Sequence, residues 1–239
     1  EIQGICKDNN LILIEDAAHA HGSEINRKKA GTLGLAGAFS FYPTKVMTTC
    51  TGGMITTQND DLANYAISLR HHGVGSSLHD VTNLGNDWLM NEVQALLGIY
   101  QLRALENNIE RRNYIADKYL VGLNKIDGIK LFQIPQNTRC SYYKYPIFLA
   151  QDIDKSRLVE EMKNKYHIRL GSVYDPPCHL QPVYKKLFGY EEGMLPESER
   201  TLKKTVCLPI FVQMTDDQID YVLQSLKKSI LQCRNTDVV

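Results

Sequence analysis

The run Leu11-Ile12-Leu13-Ile14 passes directly into two acids, Glu15 and Asp16. Four consecutive apolar residues read as a strand covered on both faces, as in a parallel sheet flanked by helices. Residues 15–22 then form a loop leaving the strand's carboxyl end, where α/β sheets present ligand groups. Asp16 is the carboxylate placed there, and Glu15 alternates to the other side in a structural role.

The rest of the chain extends this α/β reading. Residues 1–7 look like the back end of an amphipathic helix that Asn9-Asn10 breaks, so the chain is expected to begin inside an element and to lack an N-terminal part. Residues 34–41 hold the next strand, with Phe39 and Phe41 on one side and Ser40 on the other. Gly52-Gly53 precedes a short third strand, residues 54–57. Asp60 or Asp61 caps a helix whose apolar positions Leu62, Tyr65, Ala66 and Leu69 keep helical spacing. Arg70, His71 and His72 fill its last turn and Gly73 ends it. Residues 74–87 form a long irregular loop, a type that is often functional. A long helix runs over about residues 91–123, with Val93, Leu96, Leu97 and Tyr100 as its first buried stripe.

The pattern changes beyond Gly128. Residues 142–149 read as a strand, with Pro146 pointing to a sheet edge. Asp154 caps a helix that runs to about Tyr166. Residues 171–197 are punctuated by Pro and Gly, and residues 207–210 form a short strand. Thr215 to Gln218 is a capping box that opens a helix with Ile219, Val222, Leu223 and Leu226 on one face. Two domains are expected, residues 1–110 and 111–239, joined by the long helix.

Bulk properties exclude several partner classes. The 239 residues carry 27 basic and 27 acidic side chains and no like-charge block, so neither nucleic acid nor a polyanionic membrane surface is a partner. No apolar stretch approaches the roughly 18 residues of a membrane span, and no signal peptide is visible. The six cysteines match no zinc spacing and read as buried, reduced thiols, which favours a cytoplasmic location.

Lys45 lies 29 residues after Asp16, room for a strand, a loop and a second strand. It follows a strand and Pro43, and Gly52-Gly53 lets backbone approach a ligand closely there. A lysine and an aspartate on one rim of a sheet suit pyridoxal phosphate. The lysine forms a Schiff base, and the aspartate keeps the pyridine nitrogen protonated. Most lysines after a turn are simply solvated, and Asp16 could merely cap a helix. His19 could contact the cofactor ring. Ser40 offers a hydroxyl for the phosphate or, equally, bonds backbone. Asp16, His19 and His21 could instead hold a metal, although no further ligand is spaced to complete the set.

Ile14-Glu-Asp-Ala-Ala-His-Ala-His-Gly22, Ser40-Phe-Tyr-Pro-Thr-Lys45 and Gly52-Gly53 together resemble the DegT/DnrJ/EryC1/StrS aminotransferases. The resemblance continues through Arg70-His71-His72-Gly73, Glu92-Val93-Gln94-Ala95, His179-Leu-Gln-Pro-Val-Tyr184 and Leu208-Pro209, nearly the whole chain. It implies a fold-type I pyridoxal-phosphate-transferase architecture: part of a large mixed-sheet α/β domain followed by a smaller α+β domain. It further implies transfer of an amino group from glutamate or glutamine to a keto sugar, commonly nucleotide-linked, by a homodimer with shared active sites. Lys45 would be the catalytic lysine. Asp16 would pair with the pyridine nitrogen, His19 would lie beside the ring and Ser40 would bind the phosphate. His179 and Tyr184 are candidate substrate contacts. Relatives with His in place of the lysine are dehydratases, against which Lys45 argues.

Two departures stand out. Where members carry Gly-x-Asn-x-Arg, this chain has Asp87 and Leu89, so either Asn86 supplies the phosphate contact to the neighbouring subunit after a local shift or that contact is lost. Members are also considerably longer at the N-terminus, where the phosphate cradle and a ring-stacking aromatic lie. The alternative reading is therefore a non-catalytic fragment that keeps the fold and dimer face but does not bind the cofactor alone.

Overall fold

The structure, a computed structural model, describes residues 1–77 and 79–234. Residue 78 of the loop 74–87 and residues 235–239 of the expected second domain lie outside the described residues. In chain order the elements are α1 (Ile2–Asp8), β1 (Ile14–Asp16), β2 (Glu24–Ile25), β3 (Lys28–Lys29), β4 (Ala36–Ser40), β5 (Gly53–Thr57), α2 (Asp60–Arg70) and α3 (Glu92–Leu123). They continue with β6 (Ile129–Leu131), β7 (Thr138–Arg139), β8 (Tyr145–Leu149), α4 (Lys155–Tyr166), α5 (Pro182–Phe188), α6 (Pro196–Lys203), β9 (Thr205–Leu208) and α7 (Asp216–Gln232). The chain forms two compact units, Glu1–Glu110 with Pro135–Tyr143, and Arg111–Ile134 with Lys144–Val239.

The first unit is organised by a sheet in the order β1-β4-β5. β1 runs parallel to β4, with Asp16 opposite Ala38, and β5 runs antiparallel to β4. The apolar run enters this sheet later than its pattern implies. Leu11 and Ile12 precede the strand, and β1 ends on Asp16 itself. Nor are its residues covered on both faces: Leu11, Ile12 and Ile14 are 60%, 73% and 65% exposed. An apolar run reports that a strand can be buried, whereas coverage depends on what packs against it.

Glu15 accounts for the fixed path into β4. Its carboxylate accepts from the amides of Gly31 at 2.8 Å, Leu33 at 2.6 Å and Gly34 at 2.9 Å. Three donors that would otherwise need water are satisfied by one half-buried side chain. The connection also contains a hairpin that its sequence hides. Asn26 and Arg27 both take positive φ, 50° and 63°, as a two-residue turn between β2 and β3 requires. β7 adds to this ribbon, with Glu24 opposite Arg139.

Several local expectations need correction. Asn59 caps α2, its side chain accepting from the Leu62 amide at 2.7 Å, while Asp60 and Asp61 occupy the first turn and favour the positive helix end. The same helix stops at Arg70, so His71 and His72 lie beyond it, and Tyr65 is exposed. α3 spans 32 residues. Its first stripe is not buried: Val93, Leu96 and Tyr100 are exposed, and burial begins at Gly98 and Ile109. Cys207 and Cys233 are buried thiols, but Cys50 and Cys178 are exposed.

The second unit carries an antiparallel sheet in the order β6-β8-β9. β8, which contains Pro146, is its centre rather than an edge. Pro146 faces Cys207, and Cys207 exchanges both of its backbone bonds with Gly171, each at 2.8 Å. The Pro146–Cys207 pair is therefore a non-hydrogen-bonded one, and proline's missing donor points away from β9. On that side β6 begins pairing only at Ile147. Buried Ile147, Leu149, Leu158, Met162, Val206, Ile219, Val222 and Leu226, with Ile115, Tyr119 and Leu123 from α3, form the core. Asp154 caps α4 and the Thr215–Gln218 box opens α7 as the sequence indicates.

Replacing Glu15 with alanine strands three amides. The expected cost is about 2 kcal/mol, measured as a fall in the urea midpoint. Thr215→Ala, which removes a cap in the second unit, is expected to cost about 1 kcal/mol by the same measurement.

Candidate active site

The carboxyl ends of β1 and β4 lie side by side. Beyond the last ladder pair the Ala17 amide still bonds to the Ala38 carbonyl at 2.9 Å. Asp16 is thereby set at the rim. Its Oδ1 accepts from the Ala18 amide at 3.1 Å, which fixes the carboxylate over the turn that follows. Asp16 is exposed, and among the described residues no cation pairs with it.

β4 ends at Ser40, and the chain turns back on itself before β5. Phe41 donates to the Gly52 carbonyl at 2.9 Å, and its own carbonyl accepts from Thr48 Oγ1 at 2.9 Å and the Thr49 amide at 3.1 Å. Lys45 sits within this closed loop, its amide bonded to the Tyr42 carbonyl at 3.0 Å. A Cβ on Gly53 would meet the Phe39 carbonyl oxygen at 2.7 Å, so the return into β5 requires glycine. Half-buried Lys45 has no carboxylate partner among the described residues. Its Nζ stands 4.8 Å from the centroid of the Tyr143 ring. Ser40 Oγ receives only a long 3.4 Å bond from the Tyr42 amide, leaving the hydroxyl proton available.

Tyr143 belongs to this site although nothing in its local sequence marks it. The segment before it docks on the β2–β3 ribbon. Arg139 pairs with Glu24 at 3.6 Å and with Glu106. The Ser141 amide donates to Ser23 Oγ at 3.0 Å, and Ser141 Oγ donates to the His19 carbonyl at 3.3 Å. Tyr143 then packs its ring 4.3 Å from the His19 ring and shares a 2.8 Å hydrogen bond with Thr44.

His21 is a deeply buried titratable group close enough to Lys45 to feel its charge. It is 3% exposed, between Phe39 and Phe41, and neither ring nitrogen has a well-formed hydrogen bond. Burial pushes its pKa down. Lys45 and His19 add to the effect, and the Ser40 main chain opposes it. His21 is thus a neutral ring packed under the loop rather than a metal ligand, and no metal-binding cluster occurs among the described residues.

No contact with this group is recorded for the remaining candidates among the described residues. Asn86 is exposed, and its backbone ties the loop to α2 through Leu69 and to His72. Asp87 forms a backbone bridge with His71, and Leu89 is exposed. His179 and Tyr184 belong to the second unit. His179 is buried, its Nε2 2.9 Å from Glu199. Glu199 also accepts from the amides of Gly193 and Leu195, and the Gly193 amide and the His179 ring hold its carboxyl below the usual range. Tyr184 is exposed and stacks on Phe188 at 6.2 Å.

Residues 1–227 match the model of the DegT/DnrJ/EryC1/StrS aminotransferase family. The chain belongs to that family. An uncharacterized protein of Methanocaldococcus jannaschii is 36% identical over 98% of this chain and 64% of its own length. The UDP-4-amino-4,6-dideoxy-N-acetyl-beta-L-altrosamine transaminase of Campylobacter jejuni (strain 81-176) is 31% identical over 95% of this chain and 60% of its own length. A Streptococcus pneumoniae structure solved in its PLP form is 25% identical with a TM-score of 0.85, over 97% of this chain and 61% of that one. The chain therefore spans about three fifths of the length of these relatives. Its fold is the mixed-sheet α/β architecture of the family's aminotransferases, which are pyridoxal-phosphate enzymes.

The residues present fit that cofactor. A rim carboxylate without a cation suits a protonated pyridine nitrogen, a lysine without a carboxylate suits an aldehyde, and a hydroxyl with a proton to give suits a phosphate.

The neutral state of His21 has a measurable consequence. Its folded pKa lies below the unfolded value of 6.5, so the unfolded chain binds the extra proton first. Its contribution is full above that value and is lost as pH falls through the folded pKa. The urea midpoint of the protein is expected to decline below about pH 6.5, and His21→Leu is expected to flatten that part of the decline.

Proposed function

We propose that this chain carries the lysine-bearing wall of a pyridoxal-phosphate-dependent aminotransferase that aminates a keto sugar, probed most simply as a nucleotide-linked hexose, with glutamate or glutamine as donor. The observation that supports this most directly is that Lys45 and Asp16, neither with an ion-pair partner among the described residues, follow or end adjacent parallel strands at their carboxyl ends. The transaminase named among the relatives acts on a UDP-linked amino sugar, which favours a sugar acceptor.

When bound, the cofactor supplies an aldehyde that captures amines and a ring that accepts electrons from the bond to be broken. Asp16 would hold the proton on the pyridine nitrogen, since a carboxylate at that atom favours its charged form. Lys45 would bind the aldehyde carbon and, once released, carry a proton between donor carbon and cofactor. Ser40 would donate to the phosphate and His19 would lie against the ring. Asn86 is the candidate for a phosphate contact in the neighbouring subunit of a homodimer. Tyr184 and His179 are the candidates on the substrate side, with His179 acting through the loop that Glu199 fastens. Balanced charge, the absence of any helix long and apolar enough to cross a membrane among the described residues, and small-molecule chemistry favour a cytoplasmic setting.

Mixed with pyridoxal phosphate, the protein is expected to develop the absorbance band of lysine-bound cofactor. Lys45→Ala should lack that band, and Asp16→Asn should retain it while losing at least about 100-fold in amino transfer. A band that persists in Lys45→Ala overturns the assignment. Failure of the wild-type chain to take up cofactor at all favours instead a non-catalytic role that keeps the fold and the dimer face.

A further inference from the structure

We propose that Tyr143 is a positioning residue for Lys45, its ring face holding the free amine beside the site whenever that amine is not bonded to the cofactor. The functional meaning of this inference rests on the aminotransferase reading; the contact itself does not. Three observations converge on one side chain. The Lys45 Nζ stands 4.8 Å from the Tyr143 ring centroid, within the range in which an ammonium is attracted to an aromatic face. The phenol oxygen shares a 2.8 Å hydrogen bond with Thr44, the residue immediately before Lys45, so the ring is fixed to the same loop it serves. The ring also packs 4.3 Å from the His19 ring, which leaves it held on a second side.

The backbone supports a designed placement. Tyr142 takes φ of 47°, a left-handed conformation that a bulky residue adopts only where its surroundings enforce it. Buried Ser141, bonded to Ser23 and to the His19 carbonyl, supplies that enforcement directly ahead of it. The loop thus turns sharply at Tyr142 and delivers the next side chain against Lys45. A lysine in this position has two competing fates when free: extension into solvent, or a held position near the reacting atoms. An aromatic face favours the second without forming an ion pair, so the amine stays available for attack once it loses its proton. A carboxylate in the same place would bind the ammonium more tightly and would oppose release of that proton.

The test compares acylation of Lys45 by acetic anhydride, which reacts with the unprotonated amine, in wild type, Tyr143→Phe, Tyr143→Leu and Tyr143→Trp. Mass spectrometry of the digested protein reads Lys45 against exposed Lys28. Removing the ring in Tyr143→Leu is expected to raise relative labelling about two- to five-fold at fixed, mildly alkaline pH. Tyr143→Phe keeps the ring and should restore the wild-type rate, and Tyr143→Trp should fall below it. Equal labelling in all four proteins overturns the proposal, as does an equal rise in the Phe and Leu variants, which would trace the effect to the hydroxyl. Should Tyr143→Leu fail to fold, the order of Trp, Tyr and Phe decides. None of these rates requires cofactor, so failure to take up pyridoxal phosphate sinks the aminotransferase reading without deciding this one.

Discussion

The parallel register between β1 and β4 is the constraint from which the site follows. Pairing Asp16 with Ala38 brings the two carboxyl ends level, and Lys45 lies in the loop that leaves β4. A slip of one residue would send Asp16 to the opposite face. Glu15 guards against that slip from inside the strand. By collecting three amides from residues 31–34 it fixes how the chain enters β4, one residue away from the exposed acid at the strand's end. Two adjacent carboxylates thus differ, one satisfied internally by backbone donors and one without a cation partner among the described residues.

Around that rim the electrostatics are consistent with an amine that must change state. Lys45 faces an aromatic ring and a neutral imidazole instead of an acid. Burial keeps His21 uncharged under the loop, so it adds bulk without adding a second positive charge close to Lys45. In the second unit the logic is reversed. His179 and Glu199 are buried together, and the carboxylate also gathers the Gly193 and Leu195 amides, which fastens an irregular stretch with few apolar contacts of its own.

Much of this was legible in the sequence wherever the signal is local. The capping box at Thr215, the cap at Asp154 and the α/β order of the first unit each depend on residues within a few positions of one another. Near Asn59 the signal degenerates, because three cap-competent residues stand in a row and only the reach of one side chain to the Leu62 amide chooses among them. The β2–β3 hairpin was hidden because Asn-Arg lacks the glycine that usually marks such a turn. Periodicity correctly grouped Val93, Leu96 and Tyr100 on one side of α3, yet a face is buried only if something covers it. Pro146 misled because the edge rule concerns missing donors. A central strand tolerates proline at a position where neither neighbour asks for one. For the candidate site, Asp16, Lys45 and Ser40 could be proposed from motif and spacing. Tyr143 could not, since its partners are fixed only by the tertiary path of residues 135–143.

That path has a bearing on how the protein is made. Thr44 and Tyr143 touch across 99 positions of chain, so the last wall of the lysine site is a long-range closure, entropically costly and late to form. During synthesis the sheet that carries Asp16 and Lys45 emerges well before the segment that encloses the amine. Lys45 is therefore covered by Tyr143 only after β7 has docked on the hairpin, which makes completion of this contact a report that the surrounding unit has already folded.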